Sequence, residues 1–441
     1  MKSDRQAPVA IIGGGFSGTI LAAQLARQGI DCVLVDGSGR LGKGVAYSTR
    51  EPAHLLNVRA EGMSAWADEP DDFADKFEAS GGDRKGFAQR RMFADYLAGI
   101  LEQAVASGRT REMRATAINA SRKGNGWQVE FDDGQCLDAS ALVLAIGNQA
   151  PEALRAFANA GERFISNPWG STAHDAVREL AQTGKTALLV GTGLTMVDLV
   201  LSLDAAGHDG RILALSRRGL IPRSHADFTA CPVGLEEVPN GNLQNLWRWV
   251  RQRSAKIGWR AAVDSLRPHT HLLWQRLGLE QQRRFLRHAR PWWDVHRHRI
   301  APEVANTVAR LVAESRLEIV AGRVISAKPG QASIDVEYRP RGSRLSEVDS
   351  FAYAFNCTGP LHSIDRTRDP LLGSLIHSGA VRPDQLKMGI DVDERSRAIG
   401  AERLWALGPL TKGRYWEIVA VPDIRTQAAA VASDIARELE A

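Results

Sequence analysis

Two short runs carry residues whose chemistry is done by backbone rather than side chain: IIGGGFSGT at 11–19 and VGTGLTMVD at 190–198. In the first, Gly13 permits a tight turn, Gly15 lets backbone N–H groups approach a pyrophosphate, and Gly18 lets a helix pack closely on a strand. The N-terminus of that helix faces the phosphates. Asp36, about twenty residues on, can accept hydrogen bonds from both ribose hydroxyls while its charge repels a 2′-phosphate, which suits FAD or NAD and not NADP. In the second run Gly191 and Gly193 repeat the turn. Here the following strand ends in Ser216, Arg217 and Arg218, a hydroxyl and two guanidiniums that match a 2′-phosphate in geometry and charge. NADPH is the expected ligand, with NADH the other nicotinamide. Met196 stands where a third small residue is expected, so this helix and strand are expected to lie farther apart. The bland alternative is a relic of the fold with two solvated arginines.

The elements that must position these turns are legible on either side of them. PVAII reads as a buried strand, the next segment as an amphipathic helix to Arg27, and CVLVD as a second strand. In the later copy TALLV is a strand, LTMVDLVLSLDAAG a helix stopped by Gly207, and RILALSRR a strand. Each copy is followed by a strand, a hairpin and an apolar strand, the first hairpin turning at Asp133 and Gly134. Those apolar strands run into Gly147 and Gly359, where no side chain keeps a ligand from the backbone; a plain strand-end turn is the alternative. The fold class is α/β: two Rossmann-like dinucleotide-binding domains, the second inserted in the first, with a helical insertion. The expected boundaries are 1–165 and 351–441 for the FAD domain and 166–350 for the NAD(P)H domain, its insertion spanning 224–316. A closing helix after Pro422, with Asp423 as N-cap, turns its positive end toward whatever lies before it. That suits the N1 and O2 edge of a flavin ring. One turn would then hold a resident flavin and the other receive the nicotinamide that reduces it.

Composition narrows the class. The 441 residues exceed one compact core, and 56 Lys and Arg against 51 Asp and Glu, a net +5, are interleaved along the chain, which disfavours nucleic acid. Cys32, Cys136, Cys231 and Cys357 lie far apart without a CxxC pair, as expected in a reducing cytoplasm and not of a dithiol reductase. No segment reads as a signal or a membrane span, so a soluble, cytoplasmic protein is expected. The pairs His269/His271 and His296/His298 lack the cysteine or carboxylate spacing of a metal site, and none is expected.

The stretches IIGGGFSGT, GKGVAYSTREPAHLLNVRAEGMSAWADEP, VGTGLTMVD, LSRRGLIPRSH, WWDVHRHRIAP, AFNCTGP and PDIRTQA together resemble the FAD/NAD(P)-binding flavoprotein family that includes a bacterial FAD-dependent urate hydroxylase and an aspartate N-monooxygenase. More distantly the chain is similar to lysine and ornithine N-hydroxylases. The resemblance implies a single-component monooxygenase of oxygen and a small-molecule substrate, in which NAD(P)H reduces FAD and oxygen adds at flavin C4a. It also implies that Gly13, Gly15, Gly18 and Asp36 hold the FAD adenosine and pyrophosphate. Asn57, Arg59 and Met63 would lie at the ring edge, and Gly359 and Asp423 would close the site. Asn57 as a turn cap and Arg59 as a surface ion pair are the alternatives. Aspartate N-monooxygenases being longer chains, the resemblance leans toward urate hydroxylation, to 5-hydroxyisourate, and hence purine metabolism. N-hydroxylation of an amino acid such as aspartate, or a flavin-bearing redox protein without monooxygenase activity, are the other readings.

The segment 224–316 is helical in period and rich in tryptophan, with Trp247, Trp249, Trp259, Trp274, Trp292 and Trp293. It is the expected substrate lid. Trp293, Arg297 and Arg299 could stack on and pair with a flat anionic purine. The simpler alternative is that the tryptophans hold helices together and the arginines pair with acids. A flavin carries the oxygen chemistry, so no catalytic side chain is assigned; His225 and His298 are proton acceptors at most. GFSGT lacks the GxSxG spacing of a hydrolase elbow. Oligomeric state is not legible.

Overall fold

The computed structural model describes residues 7–440. Two parallel sheets are built on the two glycine turns. The strands in chain order are β1 (Val9–Ile12), β2 (Cys32–Val35), β3 (Thr110–Met113), β4 (Ala117–Lys123), β5 (Gly126–Phe131), β6 (Cys136–Ala139), β7 (Ala141–Leu144), β8 (Phe164–Ile165), β9 (Ala187–Val190), β10 (Ile212–Ser216), β11 (Leu317–Pro329), β12 (Ile334–Pro340), β13 (Glu347–Phe351), β14 (Tyr353–Asn356) and β15 (Leu404–Ala406). The first sheet has the order β15-β7-β1-β2-β3 and the second β13-β12-β11-β10-β9-β14-β8, with β4-β5-β6 a separate three-stranded sheet.

Alternation along the buried strands sends side chains into two cores per sheet. From β1, Val9 and Ile11 face the helices Phe16–Arg27, Arg90–Ala106 and Val421–Glu440. Ala10 and Ile12 face Trp127, Val129 and Leu137 of the small antiparallel sheet. In the second sheet Ala187 and Leu189 pack with helices Leu194–Ala205 and Pro302–Ala313, while Leu188 and Leu213 pack with Val336 and Phe351.

The expected internal repeat is present. β1-β2-β7 corresponds to β9-β10-β14, and the antiparallel strands β4-β5-β6 to the hairpins of β11-β12-β13. One difference has a simple cause. β11 runs on for 13 residues, pairing parallel with β10 up to Ala321 and then antiparallel with β12 from Gly322, so the second hairpin extends the sheet instead of forming its own.

Sheet membership moves the expected domain boundaries. β8 at 164–165 and β14 at 353–356 both lie in the second sheet, although 1–165 and 351–441 were assigned to the first half. The apolar run of β14 belongs beside β9 because it fills the place β7 fills beside β1. The last helix begins at Val421, so Asp423 sits within its first turn and is not its N-cap. There it still favours the positive helix end.

The two halves are stitched by buried polar contacts. Arg90, at the start of its helix, grips Asp198 with both guanidinium nitrogens, at 2.9 and 2.8 Å. His54 Nε2 donates to the carbonyl of Asp198 at 2.9 Å, and Ala53, Leu55 and Phe87 pack against the core of the second sheet.

Candidate functional site

Both turns are shaped by the strand beside them. Gly13 has φ +111°, and a Cβ there would stand 2.4 Å from the carbonyl oxygen of Ala145, just past β7. Gly191 has φ +120°, and its Cβ would stand 2.2 Å from the oxygen of Cys357, just past β14. Only glycine meets both demands. The ladders match as well: Gly13 N donates to Val35 O and Gly191 N to Leu215 O, each at 2.8 Å.

The dinucleotide reading is tested by the space in front of the helices. A Cβ on Gly193 meets nothing within 4 Å, and one on Gly15 only Gly44 Cα at 3.6 Å, so the fold itself does not require glycine at either position. A ligand approaching the backbone would. Both helices start at these glycines without a side-chain cap, which leaves first-turn N–H groups able to meet an anion. The residues therefore fit two pyrophosphates.

Asp36 follows β2. Its Oδ2 accepts from Gly14 N at 2.8 Å and its Oδ1 from Ser38 N at 2.7 Å, which holds the carboxylate at the turn with acceptor capacity left for a ribose. Ser216 occupies the same register in the second half, since Val190 pairs with Leu215 as Ile12 pairs with Val35. Its hydroxyl bonds Thr192 Oγ1 at 2.8 Å and accepts from Gly219 N at 3.0 Å. Arg217 and Arg218 follow, and among the described residues neither has a hydrogen-bond or ion-pair partner.

Past β7 beside the first turn and past β14 beside the second, Gly147 and Gly359 take φ +68° and +87° with open space beside each, so Gly359, expected to close the FAD site, stands at the second turn. Asn148 Oδ1 accepts from Lys412 Nζ at 2.8 Å. Burial and then the charge of Arg290 push that ammonium down to about 8, against the pull of Asp294. Met63 is buried in the core of the first half. Asn57 offers its carbonyl to His225 Nε2 at 3.0 Å. Arg59 donates to Lys85 O at 2.6 Å and pairs with exposed Asp227 at 2.5 Å, which is the ion-pair alternative.

The insertion is helical, as expected, but its candidate substrate residues are engaged within the protein. Trp293 Nε1 and Arg297 Nε both donate to Glu417, Arg297 at 3.0 Å. Arg299, 2% exposed, donates to His296 O and to Asp264 at 3.2 Å. Trp274 is buried, its Nε1 on Gly413 O, and its ring stacks on Trp416. The simpler reading of this segment, helices held by tryptophans and arginines paired with acids, describes Trp274, Trp293, Arg297 and Arg299. His225 is neutral over the physiological range, pushed down to about 4 by burial.

Glu417 is the residue sequence reasoning missed. It sits in a short loop, 6% exposed and at φ +69°, a conformation unfavourable for a side chain. Burial raises its carboxyl, yet the hydrogen bond and charge of His298, the charge of Arg297 and the Trp293 N–H outweigh that and hold it at about 2. RYWEIVAVPD carries no local signal for this role, because its three partners lie about 120 residues earlier.

No curated protein matches the chain in sequence. Residues 10–149 match a family model described as FAD-NAD(P)-binding. Among solved structures the chain is similar to L-lysine 6-monooxygenase from Pseudomonas syringae, at 18% identity and TM-score 0.67, over 98% of this chain and 100% of that one. It is similar at 12% identity and TM-score 0.67 to the FAD-bound cadaverine monooxygenase DfoA from Erwinia amylovora, over 98% and 95% of the two chains. Thioredoxin reductase from Lactococcus lactis follows at 12% and 0.55, over 99% of each. The fold is that of Rossmann-like FAD/NAD(P)-binding flavoproteins, and with the family model it supports FAD and NAD(P)H as the cofactors.

Proposed function

We propose that this chain is an FAD-dependent, NADPH-consuming monooxygenase that N-hydroxylates the amine of a small amino acid or diamine. The observation that carries the reading is end-to-end likeness, without a large unmatched segment, to enzymes that oxygenate lysine and cadaverine. The thioredoxin-reductase alternative lacks its chemistry here: Cys32 and Cys357 are buried, Cys136 and Cys231 are apart, and all four are free thiols. Urate is the weaker substrate reading, because Trp293 and Arg297 are engaged by Glu417 and buried Arg299 by Asp264.

In this reading FAD, when bound, would supply the hydride acceptor and the oxygen chemistry. The chain's own part is placement. The N–H groups at Gly15 and Gly193 would hold the two pyrophosphates, Asp36 would accept from a free ribose, and Arg217, next after Ser216, would favour a phosphorylated one. The clamp of Trp293, Arg297 and His298 on Glu417 ties the insertion to the C-terminal return of the first half. Lys412 Nζ, beside the Gly147 turn, exchanges its proton near neutral pH, the range in which an amine must shed one to react.

The test is NADPH oxidation by the purified protein with lysine, ornithine, cadaverine, aspartate and urate, followed by product identification. Faster oxidation with one amine and a hydroxylamine product supports the reading. A hydroxylated purine, or hydrogen peroxide as the sole product with every amine, overturns it.

A further inference from the structure

Arg217, Arg323, Arg339 and Arg341 line a cleft of about 270 Å³, with Gly322, Pro340, Gly342 and Ser343 completing its wall. These arginines converge because β11 changes partner at Gly322. Arg217 leaves β10 one step beyond the Ser216–Ala321 pair, while Arg323 and Arg339 face each other in the β11–β12 ladder and Arg341 follows β12. Among the described residues none of the four makes an ion pair. The Nε of Arg339 is buried without a hydrogen-bond partner. Four like charges around one concavity repel one another and leave a buried donor unsatisfied; a bound dianion removes both costs. Gly322 keeps the floor clear, since a Cβ there would lie 2.7 Å from Arg339 O and 3.0 Å from the Leu215 side chain.

We propose that this cleft is the seat of a phosphate monoester, the 2′-phosphate of NADPH, and that Arg323, Arg339 and Arg341 determine the preference for it together with Arg217. The proposal rests on the NADPH reading above and adds to it. Three of the four determinants come from the hairpin, outside the glycine-turn unit, and Arg218 does not line the cleft. The register supports the source of the phosphate: Ser216 holds the position from which Asp36 would meet a ribose in the first half, and Arg217 is the next residue.

The experiment is equilibrium titration of the flavin-loaded protein with NADP⁺, NAD⁺, 2′,5′-ADP, 5′-ADP and inorganic phosphate. The variants are Arg323→Ala, Arg341→Ala, the double variant, and Arg339→Lys. Each single alanine change is expected to weaken NADP⁺ and 2′,5′-ADP by about tenfold, the worth of one charge-assisted hydrogen bond, and NAD⁺ and 5′-ADP by less than about twofold. Arg339→Lys keeps the charge and should weaken NADP⁺ less than the double variant does. Arg323 and Arg341 are exposed, and retained flavin absorbance checks folding. If the unaltered protein prefers NADP⁺ but the hairpin variants bind it unchanged, the hairpin assignment falls and the NADPH reading stands. If the unaltered protein does not discriminate, the NADPH reading falls. Inorganic phosphate bound as tightly as 2′,5′-ADP, and lost in the same variants, would overturn the nucleotide as the source.

Discussion

At the first turn the chain closes on a carboxylate, Asp36, held by Gly14 N; at the second it closes on a hydroxyl, Ser216, held by Thr192, and continues into arginine. The ladders behind them are the same to 0.1 Å, Ala145 N on Ile12 O at 2.8 Å and Cys357 N on Val190 O at 2.9 Å. Backbone geometry is thus set by the repeated strand-turn-helix unit, and the two copies diverge in the residues just beyond its second strand. The helices differ too. A Cβ at Gly18 would lie 1.9 Å from Gly13 O, so the first helix presses on its turn, whereas fully buried Met196 fills the matching place in the second.

The largest expected effects break one unit and spare the other. Gly13→Ala forces a side chain into Ala145 O at a positive φ, and Gly191→Ala does the same against Cys357 O. The first variant should come out colourless or unfolded. The second should keep its flavin but lose reduction by NADPH, read as bleaching in a stopped-flow trace. Loss of flavin from both would mean that the two turns are not separate sites.

Next in size is the seam between the units. Arg90→Met strands the Asp198 carboxylate, which is almost wholly buried, and should cost about 3–5 kcal/mol, the usual penalty for an unpaired buried charge. Arg90→Met with Asp198→Leu should recover most of that loss in thermal unfolding. A double variant no more stable than the single would show that the hydrogen bonds of Arg90 to Leu55 and not its ion pair hold the seam.

Ser216→Asp sharpens the comparison further by giving the second unit the first one's carboxylate. Gly219 N is in place to donate to it, as Gly14 and Ser38 donate to Asp36. NADPH should bind about tenfold more weakly, and NADH no worse, in a fluorescence titration. Equal weakening of both would show a steric effect rather than a charge effect.

The repeated unit was legible because its signals are local. A glycine at each forbidden φ, apolar runs of strand length and the charge after the second strand all lie within about thirty residues. β14 was misassigned because the run FAYAFN names a strand but not its neighbours, and only pairing with β9 shows which sheet it joins. Helix Val421–Glu440 was read too short by its cap, since Pro422 is as compatible with the first turn as with the residue before it. Trp293 and Arg297 have the composition of an anion site, yet whether they face a ligand or a buried acid depends on Glu417, about 120 residues later and silent in sequence. Long-range pairing is where residue types stop determining roles.

The insertion is the part of the second unit with no counterpart in the first, and Glu417 joins it to the first unit's last segment, so a pH test there reports the asymmetry directly. The Glu417 carboxyl lies at about 2 in the folded chain and at the ordinary 4.5 when unfolded. A depressed carboxyl stabilises the fold above its unfolded value, and that contribution fades as pH falls from 4.5 through 2. Stability of the unaltered protein should therefore drop across this window more steeply than that of Glu417→Gln, which has no proton to take up there. Denaturant unfolding from pH 5 to pH 3 measures the two slopes. Other paired carboxylates such as Asp434 titrate in both proteins and cancel in the difference. Parallel slopes would mean that Glu417 stays protonated among Trp293, Arg297 and His298, and that the insertion is held by packing of its tryptophans alone.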